Sequence, residues 1–207
     1  MAVPWTVRLA ATAFVAWSAH QWWLDRPVEP PAGVLAPGDP LQTPVEDGRT
    51  SLPARGGWHL TARARYTVTA RVLSRETYRW DGFASAAPVD VALGWGPMSD
   101  SAVLAPLEIS QGARFYTVRW REEPPRPPAE IMAHSANTHL IPADDALGRR
   151  LARLRRGQLV RLEGYLVDGD REDGATFRTS LTRYDTGAGA CEVLYVERAE
   201  VLAPQRP

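Results

Sequence analysis

The sequence predicts a mainly β protein, α+β at the margin: one β-rich domain with a short arginine-rich helix, preceded by an N-terminal transmembrane helix. Three observations carry this. Residues Arg63 to Val72 alternate apolar and polar side chains, the period of a half-buried strand. The stretch from Ile131 to Leu202 holds three further strand-like runs, Leu159 to Val167, Thr176 to Leu181 and Cys191 to Val196. The unbroken apolar run Leu9 to Trp17 stands apart from every such pattern.

At 207 residues the chain has room for one domain and an appendage. Lys+Arg and Asp+Glu both number 24, so no chain-wide attraction to nucleic acid or acidic substrates follows, and any electrostatic site must be local. Every cation of the Lys/Arg class is arginine, a compositional bias before it is chemistry. The lone Cys191 has no partner for an intramolecular disulfide and leaves the redox compartment open.

Taken in order, the first element is residues 1–24, a membrane anchor or signal segment. Arg8 precedes the apolar run, and Ala16 with Ser18 make only a poor cleavage site. Trp5 to Trp23 extends roughly 28 Å as a helix, and four of the eight tryptophans fall in the first 23 residues, as an interfacial belt requires. An uncleaved single-pass anchor fits these residues better than a cleaved leader or a buried helix. Arg8 before the segment and Asp25 and Glu29 after it orient the remainder outward, on the periplasmic or extracellular side of a bacterial inner membrane.

Residues 25–57 form a Pro/Gly-rich linker, including Pro30-Pro31 and Pro37-Gly38; it is expected to be extended and to hold the domain off the membrane, with Val34, Leu35 and Leu41 offering the alternative that it lies along the domain surface. The domain proper is residues 58–203. After the alternating strand, Val89, Val91, Leu93 and Trp95 share a face, and Gly94 and Gly96 turn the strand while the indole fills the core. Ser99 or Asp100 caps a short helix before Pro106. Phe115 to Trp120 is another strand, followed by a proline-rich surface spacer.

Asp144 is an N-cap; Leu147, Leu151 and Leu154 follow at helical spacing, and Gly157 stands where a helix-terminating glycine belongs. The other face carries Arg149, Arg150, Arg153, Arg155 and Arg156. A solvated face matched to the helix dipole is the expected role, with Arg149, Arg150, Arg153 and Arg156 as candidate ligands for anionic lipid or, less in keeping with the neutral chain, nucleic acid. A helix ending in glycine, then a strand bent at central Gly164, is the pattern of small open barrels of the OB type.

Three catalytic or metal sets are weighed. Asp185-Thr186-Gly187-Ala188 is similar to the active-site turn of aspartic proteases, but Thr182, Arg183 and Tyr184 precede it where that family has an apolar strand, and no second such turn shares its proton. Cys191 with His134 or His139 as base makes a nucleophile pair; Cys191 shares a face with Val193 and Tyr195, the setting of an inert core thiol. His134, His139 and Asp144 or Asp145 lie five residues apart, a spacing no regular face supports, so no metal site is expected. The polar string from His134, with Asn137 and His139, is expected to join Ser180 and Asp185 in a hydrogen-bonded cluster that is structural or lines a small-ligand site.

"PVDVALGWGPMSD", "HSANTHLIPA" and "SLTRYDTGAGACEVLYVE" together resemble stretches of a family of uncharacterised bacterial proteins with an N-terminal hydrophobic segment. The resemblance implies no activity and assigns no site residues. The expected function is a membrane-tethered extracytoplasmic binding or interaction module with an envelope protein partner and no cofactor. The alternatives are a hydrolase using the cluster around His134 and His139, and anionic-lipid or nucleic-acid binding by the arginine helix.

Overall fold

A computed structural model describes residues 5–24, 26–45, 50–182 and 190–203. Helix α1 spans Trp5–Leu24, as the apolar run predicts. Its apolar core is only the nine residues Leu9 to Trp17, which include Thr12, whose hydroxyl donates to the Arg8 carbonyl, and they are flanked by Thr6, Arg8, Ser18, His20 and Gln21. Among the described residues no helix is long and apolar enough to cross a membrane.

The chain then meets the domain much earlier than a free spacer would. Val28 N–H donates to the Arg156 carbonyl at 2.8 Å. Leu35 and Ala36 N–H groups both reach Ser99 Oγ, and Ala36 is buried. Strands β1 (Leu41–Thr43) and β2 (Ser51–Arg55) pair with β3 (Trp58–Thr77). The linker is thus a strap along the domain surface, the alternative that Leu35 and Leu41 offered: backbone donors left between the prolines find fixed acceptors, and β3, at 20 residues, is long enough to serve several partners.

Strand β4 (Val89–Gly94) follows, then a 3-10 turn Gly96–Ser99, α2 (Ser101–Leu104, capped by Asp100), and the hairpin β5 (Glu108–Gly112) and β6 (Phe115–Arg119). Helix α3 (Pro128–Ala133) leads into β7 (Ser135–Pro142), α4 (Asp145–Leu151), β8 (Leu159–Arg171), β9 (Thr176–Phe177) and β10 (Glu192–Leu202). The fold is mainly β. Pairing runs β3–β4–β7–β10–β8 and closes from β8 back to β3, a five-stranded ring, antiparallel except where β7 and β10 run parallel.

One core fills the ring. Ala64, Tyr66, Val68, Ala70 and Val72, the face that alternation selects, meet Val91, Leu93, Leu162 and Leu194. A register shift between Ala62 and Ala64 is a bulge, and it reverses which face β3 presents. Trp58, Leu60 and Ala62 therefore pack in a second cluster outside the ring with Ile141, Val193 and Tyr195. Gly164 lets β8 cross close under β10: a Cβ there would sit 1.9 Å from the Tyr195 carbonyl oxygen.

Helix α4 begins at the predicted cap, where Asp144 accepts from Leu147 N–H at 2.7 Å. It is shorter than expected. The Arg75 guanidinium binds the Ala152 carbonyl, ending the helix, and the chain reaches Gly157 through tight turns, so Arg153 and Arg156 stand on turns and not on a helical face. The return strand expected over Thr176 to Leu181 is also cut to two residues. Beyond Phe177 the segment bridges β8 and β10: Thr179 N–H donates to Asp168 Oδ1 of β8, while Val193 N–H donates to Thr179 Oγ1 and Ser180 N–H to the Cys191 carbonyl.

Candidate functional site

The polar string that begins at His134 is not a loop. It is β7, a strand whose residues are nearly all buried, and register decides which polar groups meet. Asp90 in β4 stands directly opposite His139 in β7, and His139 opposite Val193 in β10. Side chains alternate across a strand. Leu140 and Leu194 therefore enter the ring, while Asp90, His139 and Val193 face outward, beneath the segment that carries Phe83 and the β5–β6 hairpin.

His139 Nδ1 lies 2.9 Å from Asp90 Oδ1. The contact is an ion pair more than an aligned hydrogen bond, since the ring N–H does not point along that line. The ring also interacts with the Cys191 side chain, which sits just before β10 and is half-buried. Phe83 covers the imidazole edge-on at 5.7 Å. Burial alone would push the His139 pKa down; the contacts with Asp90 and Cys191 outweigh it and raise it to about 9. At neutral pH the imidazole is cationic.

Arg114 completes the cluster. Its Nη1 donates to Asp90 Oδ1 and to the Ala87 carbonyl, both at 2.8 Å, and its Nε and Nη2 grip Asp81. The guanidinium stacks 3.8 Å above Tyr78. A fully buried carboxylate is costly unless paired, and Asp90 lies between two cations, with Asp81 the second anion. The backbone of Arg114 matters equally. Ala113 and Arg114, at φ 49° and 70°, form the two-residue hairpin tip in the left-handed region. That turn aims the Arg114 carbonyl at Asn137 Nδ2, 2.8 Å away, and holds it 3.9 Å from Cys191 Sγ. Asn137 Nδ2 also faces the sulfur at 3.7 Å, its amide orientation set by Gln111, which donates to Oδ1.

The other candidates lie apart from this line. His134 Nδ1 bonds the Glu130 carbonyl, and its ring packs on Gly96, where a Cβ would come within 2.6 Å. Ser180 is buried, with Oγ donating to the Thr182 carbonyl. His134 and Ser180 meet instead on the wall of a pocket of about 480 Å³ at the mouth of the ring, with Tyr66 and Glu192. Asp185, with its Thr186-Gly187-Ala188 turn, lies outside the described residues. Arg149 and Arg150 on α4, and Arg153 and Arg156 on the turns after it, are exposed. His134, His139 and Asp144 or Asp145 are not brought together; among the described residues no three His, Cys, Asp or Glu side chains could hold a metal ion.

Sequence reasoning missed Asp90 and Arg114. Asp90 had a signal: it is a lone charge within PVDVALG, a run that is otherwise apolar or glycine, and such a charge needs a buried partner. Arg114 had none, since neither Ala nor Arg marks a left-handed turn. No protein-family model, curated protein or solved structure matches the chain.

Proposed function

We propose that the chain is a membrane-associated, extracytoplasmic hydrolase of acyl bonds that uses Cys191 as nucleophile, His139 as proton carrier and Asp90 as the group that orients the imidazole. One observation carries this reading: segments distant in sequence bring a carboxylate, an imidazole and a half-buried sulfur together, His139 lying 2.9 Å from Asp90 and interacting with the Cys191 side chain. Nucleophile, base and orienting group in this relation are the generic arrangement for covalent acyl transfer.

With Nδ1 engaged by Asp90, Nε2 is the nitrogen left for the sulfur. The cationic imidazole stabilises negative charge on Sγ, the form in which cysteine attacks. Sγ adds to the acyl carbonyl carbon, and the imidazolium gives its proton to the leaving alcohol, thiol or amine as the carbon–heteroatom bond breaks. A water then attacks the thioester, losing its proton to His139, and the acid leaves as the carbon–sulfur bond breaks. Arg114 acts through Asp90 as a positioning residue, and Asn137 is the polar donor nearest the sulfur.

The barrel is read as OB-type. Numbering the ring strands in chain order, neighbours run 1-2-3-5-4-1 with 3 and 5 parallel, and α4 falls between the third and fourth, which supports that reading. The envelope location is supported by the tryptophan-flanked apolar helix α1.

The test is to incubate the full-length protein with an acyl thioester and with p-nitrophenyl acetate, then digest and map by mass spectrometry. An acetyl or acyl adduct on Cys191, absent in Cys191→Ala and turned over slowly or not at all in His139→Gln, is the expected result. No adduct with either probe, and release unaffected by Cys191→Ala, overturns it. A ligand-binding barrel without turnover is the second reading, favoured by the 480 Å³ pocket; saturable heat uptake or release on adding a ligand, abolished by Ser180→Trp and untouched by Cys191→Ala, distinguishes it.

A further inference from the structure

We infer that Arg149, Arg150, Arg153 and Arg156 form a docking surface for an anionic phospholipid bilayer, held there by the strap that joins helix α1 to the barrel. The inference extends the membrane association proposed above and is independent of the cysteine site.

The first observation is where the strap is fixed. Val28 N–H is bonded to the Arg156 carbonyl, and the next residue, Gly157, takes φ +91° directly beneath Val28, whose carbonyl oxygen would lie 1.8 Å from a Cβ at that position. The chain is therefore seated on the arginine turn itself. Helix α1 ends at Leu24, four residues before Val28. Four residues reach at most about 14 Å when fully extended. Wherever the helix goes, its end stays within that distance of Val28, which is itself hydrogen-bonded to Arg156.

The second observation is the chemistry of the two pieces so joined. On α1, Trp5, Val7, Leu9, Phe14, Val15 and Trp17 are all exposed, an apolar surface that water does not favour. On the barrel, the four arginines are exposed. The nearby acids are already engaged: Asp144 caps α4 and Asp145 pairs with Arg55. An apolar helix tied within a few residues to a short segment carrying four exposed arginines, in which Asp145 is the acid nearest Arg149, fits one kind of surface, a bilayer whose acyl region takes the helix and whose anionic headgroups face the guanidinium groups. Nucleic acid matches the arginines but leaves the apolar helix without a counterpart.

Flotation of the full-length protein with vesicles tests this. Vesicles of phosphatidylcholine alone read the helix; vesicles of equal parts phosphatidylcholine and phosphatidylglycerol add the arginine contribution. The expected result is binding to the mixed vesicles tighter on the order of a hundredfold, for several arginines acting together near the surface, and falling as salt is raised. The triple substitution Arg149→Glu, Arg153→Glu and Arg156→Glu removes that increment and leaves binding to phosphatidylcholine unchanged. Because the Arg156 backbone carbonyl holds the strap, the milder pair Arg150→Gln and Arg153→Gln, away from that contact, serves as the second variant and lowers the increment severalfold. Equal binding to both vesicles, or an increment that survives both variants, overturns the arginine surface while leaving the helix reading intact. Tighter binding to duplex DNA than to the mixed vesicles assigns the patch to nucleic acid and overturns it as well.

Discussion

Asp90 and His139 face one another across neighbouring strands, with carboxylate oxygen and ring nitrogen 2.9 Å apart on the outer face of a five-stranded ring. Both are buried, so the pair is shielded from solvent and its effect on protonation is large. The histidine pKa is raised to about 9.

That pair makes stability depend on pH in one direction. In the unfolded chain the imidazole titrates near 6.5, and in the folded protein at about 9. The stabilisation from protonated His139 is therefore complete below about 6.5 and is lost as pH rises through about 9. It amounts to about 3 kcal/mol. Urea unfolding at successive pH values should show the midpoint falling across this window, and Asp90→Asn should flatten the profile.

Removing Arg114 leaves the Asp90 carboxylate with one cation in place of two. Arg114→Ala is expected to cost about 3 to 5 kcal/mol, the usual penalty for breaking a buried pair. Arg114→Lys should recover only part of this, because one ammonium cannot serve Asp81, Asp90 and the Ala87 carbonyl together. Chemical denaturation of the three proteins at pH 7 measures both differences.

Gly157→Ala is expected to release the strap. The position has φ +91°, and its new Cβ would overlap the Val28 carbonyl, so backbone must move. A loss of more than about 1 kcal/mol is expected, together with faster amide exchange at Val28, which NMR or mass spectrometry reads directly.

Asp144→Ala removes a cap and nothing else of consequence. The carboxylate satisfies Leu147 N–H at the start of α4, and its loss should cost about 1 kcal/mol. A thermal melt shows whether the shift is of that size or absent.

Much of the fold is legible where one physical rule acts alone. The alternation from Ala64 to Val72 selects the residues that fill the ring, Asp144 marks a helix start, and Trp95 between two glycines is buried as expected, whereas Gly157 takes the left-handed conformation expected of it without ending the helix, which stops at Leu151. The site is less legible because it depends on what covers a face. Periodicity puts Cys191 beside Val193 and Tyr195, but only the parallel β7–β10 register brings it to His139 and Asn137. The string from Ser135 to His139 does not read as a strand because polar groups occupy both of its faces; the hairpin tip and Asp90 satisfy them from outside. The prolines before residue 41 read as a spacer because their anchors, Ser99 and Arg156, lie far along the chain.

The most direct measurement is the second-order rate of Cys191 alkylation by iodoacetamide, followed by intact mass, in the parent protein and in His139→Gln and Asp90→Asn. Cys191 is the only cysteine, so each added mass reports this sulfur. An account in which imidazole and carboxylate activate the thiol predicts a drop of at least about tenfold in His139→Gln, with Asp90→Asn between it and the parent. Equal rates in all three folded proteins would contradict it and leave the three residues as a structural cluster.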